Sequence, residues 1–161
     1  MKCDITSSDG PIELVDLLAD IESGDFGVIT GWIDDWQIFF IRTDGDMKRE
    51  AVDGWADTLI AIVDSWSDKQ PIAVLQNLSH PNQGFTPYSK ARTTDIFNAV
   101  PKNRVAYCAV VMQETFVNRI IGFFLNSIRN RDGMTIRIFT DCEEALTWLR
   151  IQLNENDQIF L

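Results

Sequence analysis

Between Gln70 and Lys90 the chain gathers side chains able to move a proton, carry a phosphate or hold an anion. Asn77, Ser79 and His80 form one group, and Thr86 and Ser89 a second. The apolar run Pro71–Leu78 predicts a buried strand, Ser79–Gly84 a polar loop, and Thr86-Pro87 a helix start. A strand feeding a helix in this way sets polar groups on the carboxyl edge of a sheet, where open α/β folds bind ligands. Thr86 before Pro87 has a purely structural use, as an N-cap followed by proline at the first helical position. The same place offers a second use. A hydroxyl of Thr86 or Ser89 at the positive end of the helix dipole is a candidate phosphoacceptor or anion contact. His80 has no Ser, Cys or carboxylate partner evident in the sequence, so it is a poor general base.

Other chemistries are harder to place. Asp44 and Asp46 around Gly45 resemble the start of a calcium loop, but no twelve-residue ligand pattern follows, and they read as a turn. With His80 as the one histidine, a zinc site is not expected, and no cofactor is expected either. Cys3, Cys108 and Cys142 are too few and too scattered for a disulfide framework, and none forms a CxxC pair. Cys108 falls in an apolar strand and reads as a small buried hydrophobe. Cys142 falls at a helix start, which lowers a thiol pKa, yet Glu143 and Glu144 oppose that effect, so it too reads as structural. A P-loop, a GxGxxG fingerprint and a nucleophile–base pair are missing, and the expectation is a protein that is not an enzyme.

The 161 residues carry a net charge of −10, placed unevenly. Residues 1–70 hold sixteen acids against five bases, and residues 71–161 eight against nine. Such acidity disfavours nucleic acid and anionic membrane surfaces as partners; its plain use is solubility. No signal-peptide pattern opens the chain and no apolar run approaches the ~20 residues of a membrane span, so a cytoplasmic protein is expected.

The elements needed to position the cluster follow from periodicity. Gly10-Pro11 opens a helix over about 11–22, with Ile12, Leu14, Val15, Leu18 and Ile21 at helical spacing. Val28–Ile33 and Trp36–Thr43 flank Asp34-Asp35 as a hairpin. Lys48–Trp66 is a long helix whose apolar stripe includes Val52, Trp55, Leu59 and Val63. Ile72–Leu78 is apolar on both faces, which implies parallel neighbours. A helix from Pro87 to about Val100 follows, with Tyr88, Ala91, Ile96, Phe97 and Val100 inward. Next come a strand at Arg104–Met112, a helix at Thr115–Arg129, and a strand at Thr135–Phe139. The last helix is capped by Thr140 or Asp141, and residues 154–161 are left as a tail or docked extension. Alternating strands and short-looped helices give a single α/β domain of right-handed βαβ units, with about five strands in a mixed sheet.

The hairpin, the alternation after it and the ending Ile136-Arg-Ile-Phe-Thr-Asp-Cys-Glu-Glu-Ala-Leu-Thr-Trp-Leu149 resemble the STAS-like (SpoIIAA-like) fold of bacterial anti-sigma-factor antagonists over about residues 25–150. The resemblance implies a non-catalytic, bacterial signalling module that acts through a protein partner such as a kinase or an anti-sigma-like regulator. In those antagonists an Asp-Leu-Ser strand end leads to a phosphorylated Ser or Thr at the next helix start. Here Asn77-Leu78-Ser79 and Thr86 hold those places, with Asn for Asp and without an Asp-Ser-Ser-Gly sequence. The family also includes lipid-handling relatives. The wide apolar stripe of Thr115–Arg129, with Phe116 and Phe123, therefore has two functional readings beside Trp55 and Trp66: an apolar ligand pocket or a homodimer face. Its structural reading is a helix buried on two sides.

Overall fold

The computed structural model describes residues 4–7, 10–43, 48–80, 86–115 and 133–159. Strands β1 (Asp4–Ser7) and β2 (Gly10–Glu13) pair antiparallel in a small sheet of their own. The main sheet contains β3 (Ala19–Ser23), β4 (Val28–Ile33), β5 (Ile38–Thr43), β6 (Ile72–Asn77), β7 (Ala106–Val111) and β8 (Met134–Phe139), side by side in chain order. β3, β4 and β5 are antiparallel neighbours; β5 through β8 are parallel. The expected mixed α/β sheet with an initial hairpin is present, with six strands rather than about five.

Three helices are described: α1 (Arg49–Ser65), α2 (Pro87–Ala99) and α3 (Cys142–Ile159). They cover both faces of the sheet. The first core joins Val52, Trp55 and Leu59 of α1 and Ile96 and Phe97 of α2 to Phe39, Ile41, Ile72, Val74 and Val110. The second joins Leu146, Leu149 and Leu153 of α3 to Ile38, Phe40, Ala73, Leu75 and Val111. Every residue of β6 is buried, alternate side chains entering opposite cores, as the unbroken apolar run predicts for a strand covered on both faces. Because the strand order never reverses, the sheet lacks the switch-point crevice in which many open α/β folds seat their ligands. What the fold does provide is a common edge, where β5, β6, β7 and β8 end.

Two terminal expectations are corrected. The helix expected over 11–22 is instead β2, a 3₁₀ turn at Leu14–Leu17, and β3. Pairing with β4 at Ala19↔Trp32, Glu22↔Thr30 and Ser23↔Ile29 claims the second half of that stretch, and an irregularity between Ala19 and Glu22, with Asp20 at φ 48°, breaks the helical register. Leu14 and Leu18 therefore pack from the 3₁₀ turn and the residue after it; tertiary pairing overrides a weak periodic signal. The tail expected from residue 154 is helix as far as Ile159. The inward series Leu146, Leu149, Leu153 and Asn156 simply continues, and each of the four is buried. Arg150 of α3 donates two bonds to Asp34, at 2.6 and 2.8 Å, and that carboxylate raises the guanidinium pKa above its ordinary value. The helix expected at Thr115–Arg129 lies, from residue 116 on, outside the described residues, as does the Asp44–Asp46 turn.

The β4–β5 connection also differs from the sequence reading. β5 begins at Ile38, and Asp34–Gln37 form the turn, closed by Gln37 N–H donating to the Asp34 carbonyl at 3.2 Å. Asp34, Asp35 and Trp36 have φ of 54°, 53° and 67°. Asp tolerates the left-handed region; Trp adopts it rarely.

Candidate functional site: the carboxyl edge of the sheet

Asn77 ends β6 in register with Arg42 of β5 and Val111 of β7. The ladder runs one residue further, Leu78 N–H donating to the Val111 carbonyl at 2.9 Å. The Asn77 side-chain oxygen then accepts from both the backbone N–H (3.1 Å) and the hydroxyl (2.6 Å) of Ser79. This is a local Asx-type turn that lifts the chain off the sheet. Gln113, just beyond β7, donates its amide to the Ser79 carbonyl at 3.0 Å and fixes the turn from the neighbouring strand. Asn77 and Ser79 are 2% and 4% exposed, so this pair is a buried polar lock rather than an open surface. His80 is half-buried behind it, and residues 81–85 fall outside the description.

The second pair opens α2. Thr86 is the N-cap, its hydroxyl accepting from Ser89 N–H at 3.1 Å while Thr86 N–H donates to the Ser89 hydroxyl at 2.8 Å. That reciprocal arrangement is a capping box with Ser in place of the usual Glu or Gln. Ser89 is 5% exposed and passes its own proton to the Thr86 carbonyl at 2.9 Å. The inward face of α2 is more polar than expected: Ser89 and Thr93 are buried with Ile96 and Phe97, whereas Ala91 is exposed. Thr93 is satisfied internally, donating to the Ser89 carbonyl at 2.8 Å.

The structure thus joins Asn77 to Ser79 and Thr86 to Ser89. Of the three hydroxyls among the candidates, Thr86 alone is exposed. Ser79 leans on an amide oxygen, which cannot take its proton as a general base. Among the described residues no group of three His, Cys, Asp or Glu is placed to hold a metal ion, and no helix is long and apolar enough to cross a membrane.

Two polar systems were not foreseen. Asp53 and Asp57 on α1 meet α2: Arg92 lies 3.3 Å from Asp53 and also pairs with Asp57 and, at 2.8 Å, with Asp95. Tyr88 donates its hydroxyl to Asp53, and the Arg49 guanidinium sits 4.5 Å over the Tyr88 ring. The bond to Asp53 holds the phenol pKa above its ordinary value. Partners some 35 residues apart leave no trace in a periodic pattern. The other system is internal. Trp55 donates its indole N–H to the Gln76 side-chain oxygen at 3.1 Å, and the Gln76 amide contacts the Cys108 sulfur at 3.2 Å. Gln76 amid the apolar run of β6 was the available signal, since a buried amide needs partners.

The cysteines divide. Burial pushes the Cys108 thiol up to about 12, against the opposing effect of the Gln76 amide. Cys142, buried at the start of α3, is disulfide-bonded, which the scattered spacing did not predict. Cys108 is the free cysteine among the described residues and Cys142 is not free, so denatured protein should titrate fewer thiols before reduction than the three it titrates after it. The folded protein at pH 8 should react slowly with a thiol reagent, because burial disfavours the Cys108 thiolate. Titration of all three thiols without reductant would contradict the disulfide, and rapid modification of Cys108 in the folded protein would contradict its burial.

Comparison with known proteins gives no match to this chain among family models, curated proteins or solved structures. The fold and the edge define a mixed α/β protein, and the reading of its role rests on the residues themselves.

Proposed function

We propose that this protein is a non-catalytic regulatory or protein-interaction module of STAS-like type, whose partner docks on the carboxyl edge of the sheet around Thr86. The observation that carries the reading is the contrast along that edge. Asn77, Ser79 and Ser89 are locked and buried, while Thr86 presents a hydroxyl at the positive end of a thirteen-residue helix. A phosphate there would sit at the positive end of the helix dipole, where negative charge is favoured, and would alter the one exposed hydroxyl of the cluster. A kinase would be the writer of that charge, and an anti-sigma-like regulator or a second copy of the chain its reader. The disulfide at Cys142 counts against a strongly reducing compartment, so the thiol titration above also bears on the cytoplasmic placement.

Thr86→Asp separates charge from capping, because Asp caps a helix about as well as Thr. It should leave unfolding stability within about 0.5 kcal/mol of wild type, whereas Thr86→Ala should lose about 1 kcal/mol. In affinity capture from the source cells, with quantitative mass spectrometry, the Asp variant should gain or lose a partner several-fold while the Ala variant behaves as wild type. Identical capture by wild type and Thr86→Asp, or a Thr86 never phosphorylated in the cell and insensitive to charge, would remove the proposal.

A further inference from the structure

At the antiparallel end of the sheet, α1 leaves part of the face uncovered. β3, the edge strand, is exposed at all five positions, and between it and α1 lies a cleft of about 390 Å³. Its wall is aromatic. The Trp32 ring lies 5.0 Å from that of Trp36 at 33° and meets Phe39 edge-on at 5.1 Å, with Trp66 5.3 Å away on a further side. Trp36 is 51% exposed, although an indole ring is among the largest apolar surfaces a chain can bury. It is carried by the third of three successive left-handed residues, a costly way to display a side chain.

The polar part of the lining is one-sided. Asp20 and Glu22 stand on the lip, and no Lys, Arg or His is among the lining residues. Thr58 gives its hydroxyl proton to the Gly54 carbonyl at 2.6 Å, so toward the cleft it can only accept. Indole faces, two carboxylates and the hydroxyls of Thr30 and Thr58, with no basic side chain among them, disfavour an anion and give an uncharged apolar molecule little beyond surface burial. A strongly hydrated primary ammonium or metal ion would lose more hydration than two carboxylates return. The chemistry that matches both the rings and the carboxylates is a cation clothed in methyl groups, held by ring quadrupoles and the acidic lip. The volume lies within the range of small-molecule sites and also admits one long side chain.

We propose that this cleft binds an alkylated ammonium group, carried by a free choline-like molecule or by a methylated lysine side chain. The site is remote in sequence from Thr86 and needs neither a phosphate nor the edge partner.

Titration of the full chain, followed by tryptophan fluorescence and calorimetry, tests it with choline, with its uncharged isostere 3,3-dimethylbutan-1-ol, with glucose, and with a lysine peptide in trimethylated and unmodified forms. Choline should bind saturably and about tenfold more tightly than the isostere. Trp36→Ala should weaken that binding about tenfold or more, Trp36→Phe less, and Asp20→Asn with Glu22→Gln several-fold, all with unchanged thermal melting. A trimethylated peptide that outbinds both choline and its unmodified form assigns the group to a protein side chain; parity with choline assigns it to a free small molecule. Equal affinity for choline and its isostere, tighter binding of glucose, or no saturable response to either ammonium probe overturns the proposal. So does choline binding that survives in both Trp36 variants and in the double carboxamide variant.

Discussion

Leu75→Ala is expected to cost about 3 kcal/mol of unfolding free energy and Val74→Ala about 2 kcal/mol, both measured by urea denaturation. The pair matters more than either value. Leu75 is fully buried against α3 and Val74 is buried against α1 and α2, so neighbouring residues of β6 fill two separate cores. A sheet covered on one face would make one of the substitutions nearly free. If either costs less than about 0.5 kcal/mol, the placement of β6 between two helical layers is wrong. With that placement would go the common edge on which Asn77 ends β6.

Gln76→Leu is expected to destabilise by about 2 kcal/mol, despite adding an apolar side chain to a core. The substitution leaves the buried Trp55 indole N–H without its acceptor and removes the amide that contacts Cys108. An unsatisfied buried donor costs about 1–3 kcal/mol, more than a leucine side chain of similar volume returns. Trp55→Phe in the Gln76→Leu background removes the orphaned group, so the double variant should be less destabilised than the sum of the singles by about 1 kcal/mol or more. Additive effects would mean that the Trp55–Gln76 bond is not made in solution. The Gln76 contact also lowers the Cys108 thiol pKa, so its loss should make that sulfur still slower to react in the folded protein.

How much of this was legible depended on burial. β6 and α1 were plain because their side chains obey the periods that burial imposes: continuous apolarity for a doubly covered strand, a three-and-four stripe for a covered helix. The start of α2 was plain because Thr-Pro is a local capping signal that needs no tertiary partner. β3 was not legible. All five residues are exposed, so nothing in Ala19–Ser23 records a face, and the apolar residues before it imitate a helix by chance. The Asn77–Ser79 lock was found as a polar spot but not as a buried one, since its satisfaction comes partly from Gln113, thirty-four residues on. The aromatic cleft was hidden when Trp36 was read into β5. Asp34-Asp35 carried the clue, as both tolerate the left-handed backbone that extends the turn to Trp36.

Spatial neighbours in the main sheet are also successive in the chain. Each strand leaving the ribosome therefore meets its ladder partner already in place, and contacts of short sequence separation build the sheet outward from β3. The opposite layer has no such freedom. Its core is closed by Leu146, Leu149 and Leu153, which follow every strand of the sheet in the chain, and α3 also touches β1, which precedes them all. One side of this protein can thus assemble before α3 is made, while the other stays uncovered until Leu146, Leu149 and Leu153 have emerged.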